Sequence, residues 1–405
     1  MDIYLARQPI FNTKKKICAY ELLFRDGPSN AFPTIDGDTA SSKLLANSFC
    51  SMGVESLTGG KKAYINFTEN LILKRVPMMF PSHEIMVEVL EDVNPTPDVI
   101  SACREMSQAG YGIALDDFLY KPGLKPLISI ANVVKVDFRS MPMDQITASV
   151  SLLSDFSVKF LAEKVETYEE FNKASDMGFE FFQGYFFSKP EVIRGRDVDG
   201  GNINLLRIMA EANKEDFRFA ELEKLISRDV SISYKLMRYM NSPYFRRVQE
   251  ISSIRHAIVM LGERGVRRFV SLIAMAKLAG AKPDELLKTS IVRARLCELL
   301  GKEAGGDGRD GSEHFTVGLF SLIDAILDTP METIMKKLPL SGRIKQALLA
   351  GEGDLAQFLT LAASYQRGDW EEANKAATTL GVNMEAVPKY YLESLAWADS
   401  LSPAQ

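Results

Sequence analysis

The sequence predicts two unlike halves: an α/β half forming a TIM-like (β/α) barrel over residues 1–195, then an all-α domain over 196–405. Three observations carry this expectation. Short apolar runs carrying a polar residue at or near their ends recur through the first half, with those residues at 21, 66, 88, 116, 137, 163 and 183. After the first gap their steps run from 20 to 28 residues, room for one strand, one helix and two loops, which is the repeat of a parallel βα architecture. Beyond a polar, glycine-rich run at 194–201 the alternation stops, and apolar residues recur only at helical spacing.

Taken in order, residues 3–10 and 17–24 read as an opening hairpin around the polar run 12–16, with Glu21 inside the second strand and Arg25 just after it. A helix is expected near 40–56, and Gly59 and Gly60 break the chain after it. Strand 63–67 carries Asn66, and strand 85–91 carries Glu88 and ends at Glu91. Helix 98–108 leads to strand 112–118, which ends in Asp116 and Asp117. Strand 132–138 carries Lys135 and Asp137, and the run 160–166 carries Glu163 and Glu166. The first half closes on 181–190, with Gln183 at a strand end, Gly184 at a turn and Pro190 at the exit. Helices are expected at 204–212, 219–227, 231–240, 254–261, 266–278, 286–303, 314–327, 344–349, 355–365, 371–380 and 384–398.

Bulk properties narrow the function. The net charge is −5, so there is no overall basic footprint and nucleic acid is not the expected partner. The four cysteines (Cys18, Cys50, Cys103, Cys297) form no close pair, which argues against a zinc site or a disulfide framework. No leader pattern opens the chain, and no apolar run reaches the ~18 residues that span a bilayer, so a cytoplasmic protein without membrane contact is expected.

In a (β/α)₈ barrel, site residues collect at the C-terminal strand ends. Any one acidic strand end is also explained as a cap for the next helix, but seven in register point to one shared site. Glu21, Asn66, Glu88, Asp116 and Asp117 offer oxygen donors only, a set suited to Mg²⁺ or Mn²⁺ rather than zinc. Adjacent Asp116 and Asp117 suit two ions about 4 Å apart, which favours phosphodiester cleavage. Lys135 is then the group that orients the nucleophile or neutralises charge, and Glu163 the proton acceptor. The alternative for Lys135 is a structural ion pair with Asp137, two residues on along the same strand face.

These residues resemble the EAL domain, the bacterial phosphodiesterase domain for cyclic di-GMP. Glu21-Leu22-Leu23 with Arg25 matches its name-giving motif, Asn66 its asparagine, and Glu88 with Glu91 its glutamate pair. Asp116-Asp117-Phe118, Lys135-Val136-Asp137 and Ala162-Glu163-Lys164-Val165-Glu166-Thr167 match three more, and the stretch from Gln183 to Pro190 matches the last. The resemblance implies hydrolysis of cyclic di-GMP to linear pGpG by two Mg²⁺ or Mn²⁺ ions. It further implies nucleotide contacts from Arg25, Gln183 and Pro190, supporting roles for Glu91, Asp137 and Glu166, and a homodimer. The sequence departs from the family at Leu22 and Lys164, where an alanine and a glycine are usual, and at 119–123, where active members carry a Gly-Thr-Gly loop. Leu22 is expected to crowd the ligand Glu21. The altered loop leaves a second reading open, a cyclic di-GMP receptor of little or no turnover.

The helical half resembles the HDOD domain, a non-catalytic relative of the HD phosphohydrolases. Leu225-Ile226-Ser227-Arg228-Asp229, Asn241-Ser242-Pro243-Tyr244-Phe245 and the run 254–262 carry the likeness. Ser321-Leu322 stands where catalytic relatives have histidine and aspartate, and the chain has only three histidines, His83, His256 and His314. His256 is expected to be packed or capping rather than a ligand. The implied role is regulation or the docking of an unnamed protein partner.

Overall fold

The structure is a computed structural model. It describes residues 3–26, 54–118, 122–188, 236, 240, 254–280, 282–305, 311–338 and 340–401. The chain divides into two compact units, one of Met1–Phe187 with Ser364–Glu371, the other of Ser188–Ala363 with Glu372–Gln405.

The first unit is a closed eight-stranded barrel in sequential order. Its strands are β1 (Ile3–Asn12), β2 (Ile17–Asp26), β3 (Lys62–Phe67), β4 (Ile85–Val89), β5 (Gly112–Leu115), β6 (Val133–Asp137), β7 (Lys159–Glu163) and β8 (Phe181–Gln183). The expected hairpin is present: β1 and β2 pair antiparallel, and Asn12 Oδ1 accepts the N–H groups of Lys14 and Lys16 in its turn. β1 is antiparallel to β8 as well, whereas every junction from β2 to β8 is parallel. The helices of this unit are α1 (Val54–Thr58), α2 (Glu69–Leu73), α3 (Pro97–Gln108), α4 (Lys125–Ile128), α5 (Met143–Leu153) and α6 (Tyr168–Asp176). Of the helix expected at 40–56, the part before residue 54 lies outside the described residues.

One apolar ring fills the barrel. Ile10, Ala19, Tyr64, Met86, Ala114, Val133 and Leu161, one from each of β1 to β7, form a buried cluster, and Phe181 of β8 packs against it. Register pairs show the shear that lets eight strands close. Glu21 is opposite Tyr64, Glu88 opposite Ala114, Lys135 opposite Leu161 and Gln183 opposite Ile10, so the ring slips by two residues at every second junction.

Leu22 corrects an expectation. It is buried, but strand alternation turns it to the face opposite Glu21, where it packs in the core outside the barrel lumen and does not crowd its neighbour's carboxylate.

The second unit is helical in every described segment beyond residue 254. Its helices are α7 (Ile254–Ala279), α8 (Asp284–Glu303), α9 (Ser312–Phe320), α10 (Ile323–Leu327), α11 (Met331–Lys337), α12 (Gly342–Ala350), α13 (Asp354–Arg367, which ends in the first unit), α14 (Trp370–Leu380) and α15 (Val387–Leu401). The expected helices 254–261 and 266–278 run together as α7, but Gly262 breaks the helical path with φ 66° and ψ 174°. The expected helix 314–327 divides into α9 and α10. Most of 204–240 lies outside the described residues. Close approach of α8 and α9 depends on Gly318, where a Cβ would come within 2.7 Å of Arg293 O and of Ala294 Cα.

Candidate functional site

Seven of the predicted residues stand two positions beyond a residue of the apolar ring, or one packed against it, on the same face. Glu21 follows Ala19, Asn66 follows Tyr64, Glu88 follows Met86, and Asp116 follows Ala114. Lys135 follows Val133, Glu163 follows Leu161 and Gln183 follows Phe181. A strand's side-chain period of two therefore sends all seven into the barrel lumen above the ring.

Four carboxylates close on one ammonium. Lys135 Nζ lies 2.7 Å from Glu88 Oε1, 2.7 Å from Asp116 Oδ1, 2.8 Å from Glu163 Oε1 and 3.4 Å from Glu21 Oε2. Lys135 and Glu88 are both 0% exposed. Burial alone would lower the Lys135 pKa, but Glu163, Glu21, Glu88 and Asp116 outweigh it and hold the ammonium well above its usual range. Glu88 is driven well above the carboxylate range by burial, with Lys135 opposing and Glu21 and Asp116 reinforcing. Glu163 is pushed up to about 8 by burial, Lys135 again opposing and Asp116 and Glu21 adding to the shift.

Two amides complete the layer. Asn66 Nδ2 donates to Glu21 Oε1 at 3.2 Å, and Gln183 Nε2 donates to Glu21 Oε2 at 2.5 Å. Gln183 Nε2 also donates to Gln8 Oε1 at 2.6 Å. Gln8 is the member that sequence reasoning missed. It sits two residues before the ring residue Ile10, opposite Glu21 in register, because β1 runs backwards relative to the other strands. The available signal was the hairpin itself: in an antiparallel strand the position equivalent to plus two is minus two.

The remaining predicted residues lie around the rim. Asp117 is exposed and holds φ 38°, an uncommon value for a residue with a side chain. Asp137 does not pair with Lys135. Its Oδ1 accepts Arg139 N and Ser140 N, and its Oδ2 lies 2.5 Å from Lys164 Nζ. Glu166 pairs with Arg139 at 2.6 Å, and Glu91 is exposed just past β4. Arg25 belongs to β2, but its side chain lies outside the described residues, as do Pro190 and residues 119–121.

The turn from β7 is fixed by its neighbours. Phe138 N donates to Glu163 O, Val165 N donates to Gln183 O, and Phe186 N donates to Val165 O. Gly184, at φ 145°, lets the chain pass close beneath that turn, since a Cβ there would be 2.0 Å from Val165 O.

The donor chemistry fits hard divalent cations. Among the described residues no three His, Cys, Asp or Glu side chains surround a shared point as ligands would; the carboxylates are drawn onto Lys135 Nζ instead. Four acidic groups face one ammonium there, and the upward shifts of Glu88 and Glu163 are the mark of a lumen short of positive charge. Asn66 Oδ1, Glu88 Oε2 and Gln183 Oε1 are buried without a hydrogen-bond partner, and a cation satisfies such oxygens.

The helical unit offers no comparable centre among its described residues. His314 is buried with its ring edge-on to Phe358 and is a packing residue. Ser321 Oγ donates to Gly318 O and accepts from Arg293, and Leu322 is buried beside it, so the two are a structural hydroxyl and an apolar core side chain. The side chain of His256 lies outside the described residues. No helix of the described residues is long and apolar enough to cross a membrane.

A barrel and lumen of this kind followed by a helical unit define an EAL–HDOD protein: the EAL domain family matches residues 63–190 and the HDOD domain family residues 203–335. The first match begins after the hairpin, yet the barrel includes the hairpin and Glu21. Over its length the chain is 37% identical to "Cyclic di-GMP phosphodiesterase CdgJ" of Vibrio cholerae, across 402 residues covering 98% of this chain and 93% of that one. It is 35% identical to "Uncharacterized protein YuxH" of Bacillus subtilis, across the whole of both chains. The chain belongs to the family of these two proteins. A standalone EAL protein from Vibrio cholerae O395 in a c-di-GMP bound form covers 46% of this chain and 92% of its own, with 26% identity and a TM-score of 0.37.

Proposed function

We propose that the barrel is a cyclic di-GMP phosphodiesterase that opens the ring to linear pGpG, with the helical unit as a non-catalytic regulatory module. The observation that carries the reading is the lumen: four carboxylates converge from different strands on one buried lysine, two amides donate to one of those carboxylates, and buried oxygens among them lack hydrogen-bond partners. Full-length identity to a relative named as a cyclic di-GMP phosphodiesterase supports the substrate.

Glu21, Asn66, Glu88, Asp116 and Asp117 would hold the Mg²⁺ or Mn²⁺ ions. When bound, such ions polarise a phosphodiester and lower the pKa of water. Lys135 neutralises charge that develops beside the carboxylates, from a position that burial fixes. Glu163 holds a proton at a carboxyl poised near neutral pH in the metal-free chain, which suits it to exchange that proton with the nucleophile. Gln8 and Gln183 keep Glu21 oriented, and Gln183 Oε1 remains free to meet a guanine donor. Arg25 and Pro190 complete the nucleotide contacts, and Glu91, Asp137 and Glu166 support the rim loops. Free Cys18, Cys103 and Cys297 suit a reducing compartment, so the reading places the protein in the cytoplasm. The helical unit docks a protein partner, and the barrel forms a homodimer.

The test is direct. The full chain is incubated with cyclic di-GMP and Mn²⁺ or Mg²⁺, and linear product and bound ligand are both measured. Product that disappears in Glu163→Gln supports the enzyme. Binding without product in the unaltered chain selects the receptor reading, and neither binding nor product sinks both.

A further inference from the structure

Lys164 occupies the position where related domains carry a glycine, and nothing in the site described above uses it. Its backbone holds φ 55°, the left-handed conformation that glycine adopts without strain. The turn that carries it is held on both sides, because Glu163 O accepts from Phe138 N, Val165 N donates to Gln183 O and Val165 O accepts from Phe186 N. The side chain therefore leaves a fixed point at the mouth of the lumen, directly after Glu163.

There its ammonium meets Asp137 Oδ2 at 2.5 Å. Asp137 is 6% exposed at its side chain and spends its other oxygen on two backbone N–H groups. Asp117 and Glu163 add to the negative field acting on Lys164. The Lys164 side chain is itself 53% exposed, so its ammonium can leave Asp137 for water at little desolvation cost. A cation that is tethered, close and cheaply displaced has the properties of a competitor for any other cation drawn to the same carboxylates.

We propose that Lys164 is a built-in counter-ion that competes with a divalent cation at the Asp117–Asp137 side of the lumen, so that this side fills only at raised metal concentration. The glycine usual at this position offers no such charge. In this chain the ammonium sets the metal threshold by partly cancelling the field that would recruit the ion. Lys164 is in this sense a positioning residue for metal occupancy and contacts no reacting atom. The inference rests on the proposed reading that the lumen binds divalent cations.

The test is a calorimetric titration of the full chain with Mn²⁺ alone, without nucleotide. The forms compared are the unaltered chain, Lys164→Arg, Lys164→Gln, Lys164→Gly and Glu88→Gln. Removing one unit charge beside a divalent ion at the rim tightens binding on the order of tenfold. Lys164→Gln and Lys164→Gly are both expected to show this gain, with Lys164→Arg close to the unaltered chain. Tighter binding in Lys164→Gly but not in Lys164→Gln traces the effect to backbone strain and overturns the proposal. Equal or weaker binding in both overturns it as well, while Mn²⁺ binding that Glu88→Gln abolishes leaves the metal reading standing. No Mn²⁺ binding in any form removes the metal reading and this inference together.

Discussion

Lys135 Nζ lies within ion-pair distance of four carboxylates, and a buried cluster of that kind is stable only while its centre is charged. Lys135→Met leaves those carboxylates facing one another, and breaking a buried ion pair in this way costs about 3–5 kcal/mol. Urea denaturation in a chelating buffer measures that loss, and added Mn²⁺ recovers part of it. Glu163 supplies a pH signature. Its carboxyl is raised to about 8 against an unfolded value of 4.5, so the folded chain keeps a proton that the unfolded chain has released. That contribution is complete below pH 4.5, declines as pH rises and is gone above about pH 8. Stability of the metal-free protein is therefore expected to fall between those limits, and Glu163→Gln to remove that part of the slope. The sequence made most lumen residues legible because they lie at or near the ends of apolar strand runs at a repeating step, although in β6 the step fell on Asp137 rather than on Lys135. It could not show that Asp137 belongs to Lys164 rather than to Lys135. Lys135 and Asp137 share a strand face, and only the left-handed turn at Lys164 brings the second ammonium onto the aspartate.

At the scale of elements, two substitutions a short distance apart separate a terminus from a crossing. Thr167 caps α6 with a reciprocal capping box: its side chain accepts from Glu170 N, and the Glu170 carboxylate accepts the Thr167 N–H. Thr167→Ala is expected to cost about 1 kcal/mol in chemical denaturation and to leave Mn²⁺ binding unchanged. Gly184→Ala differs in kind. It forces a Cβ to within 2.0 Å of Val165 O at a φ of 145°, so the turn carrying Glu163 and Lys164 has to move. A loss of about 3 kcal/mol or more is expected, with weaker Mn²⁺ binding measured alongside. The strands were readable from apolar runs and the later helices from their periodicity. Gln8 was not, because a polar residue early in β1 carries no sign of facing the lumen until the strand is known to run antiparallel to both neighbours. The division of 314–327 into α9 and α10 was equally hidden, since apolar spacing continues through the break.

Considered as a whole, the molecule contains two separately built cores, and each should answer to its own perturbation. Gly318→Val places a side chain against the backbone of α8 at 2.7 Å and is expected to destabilise the helical unit by about 1–3 kcal/mol, read in thermal unfolding. Its Mn²⁺ affinity should match that of the unaltered chain, because the lumen residues lie in the other unit. A change in that affinity would show that the two units are energetically coupled. The two-part organisation was visible in the sequence as the end of strand alternation. The assignment of Ser364–Glu371 to the first unit was not, because a helical pattern says nothing about which core a segment joins.

The short strand β8 has one more consequence. It has three residues, and through the pairing of Ile10 with Gln183 it joins the chain's first strand to one some 170 positions later. Every other lumen residue has left the ribosome before Gln183 does, yet Glu21 lacks its Gln183 partner and Gln8 cannot be held until that residue arrives. Between the synthesis of Glu163 and that of Gln183 a nascent chain thus carries its four carboxylates and its lysine without a finished layer. The lumen can close only once β8 is added, and by then the whole helical unit is still to be synthesised.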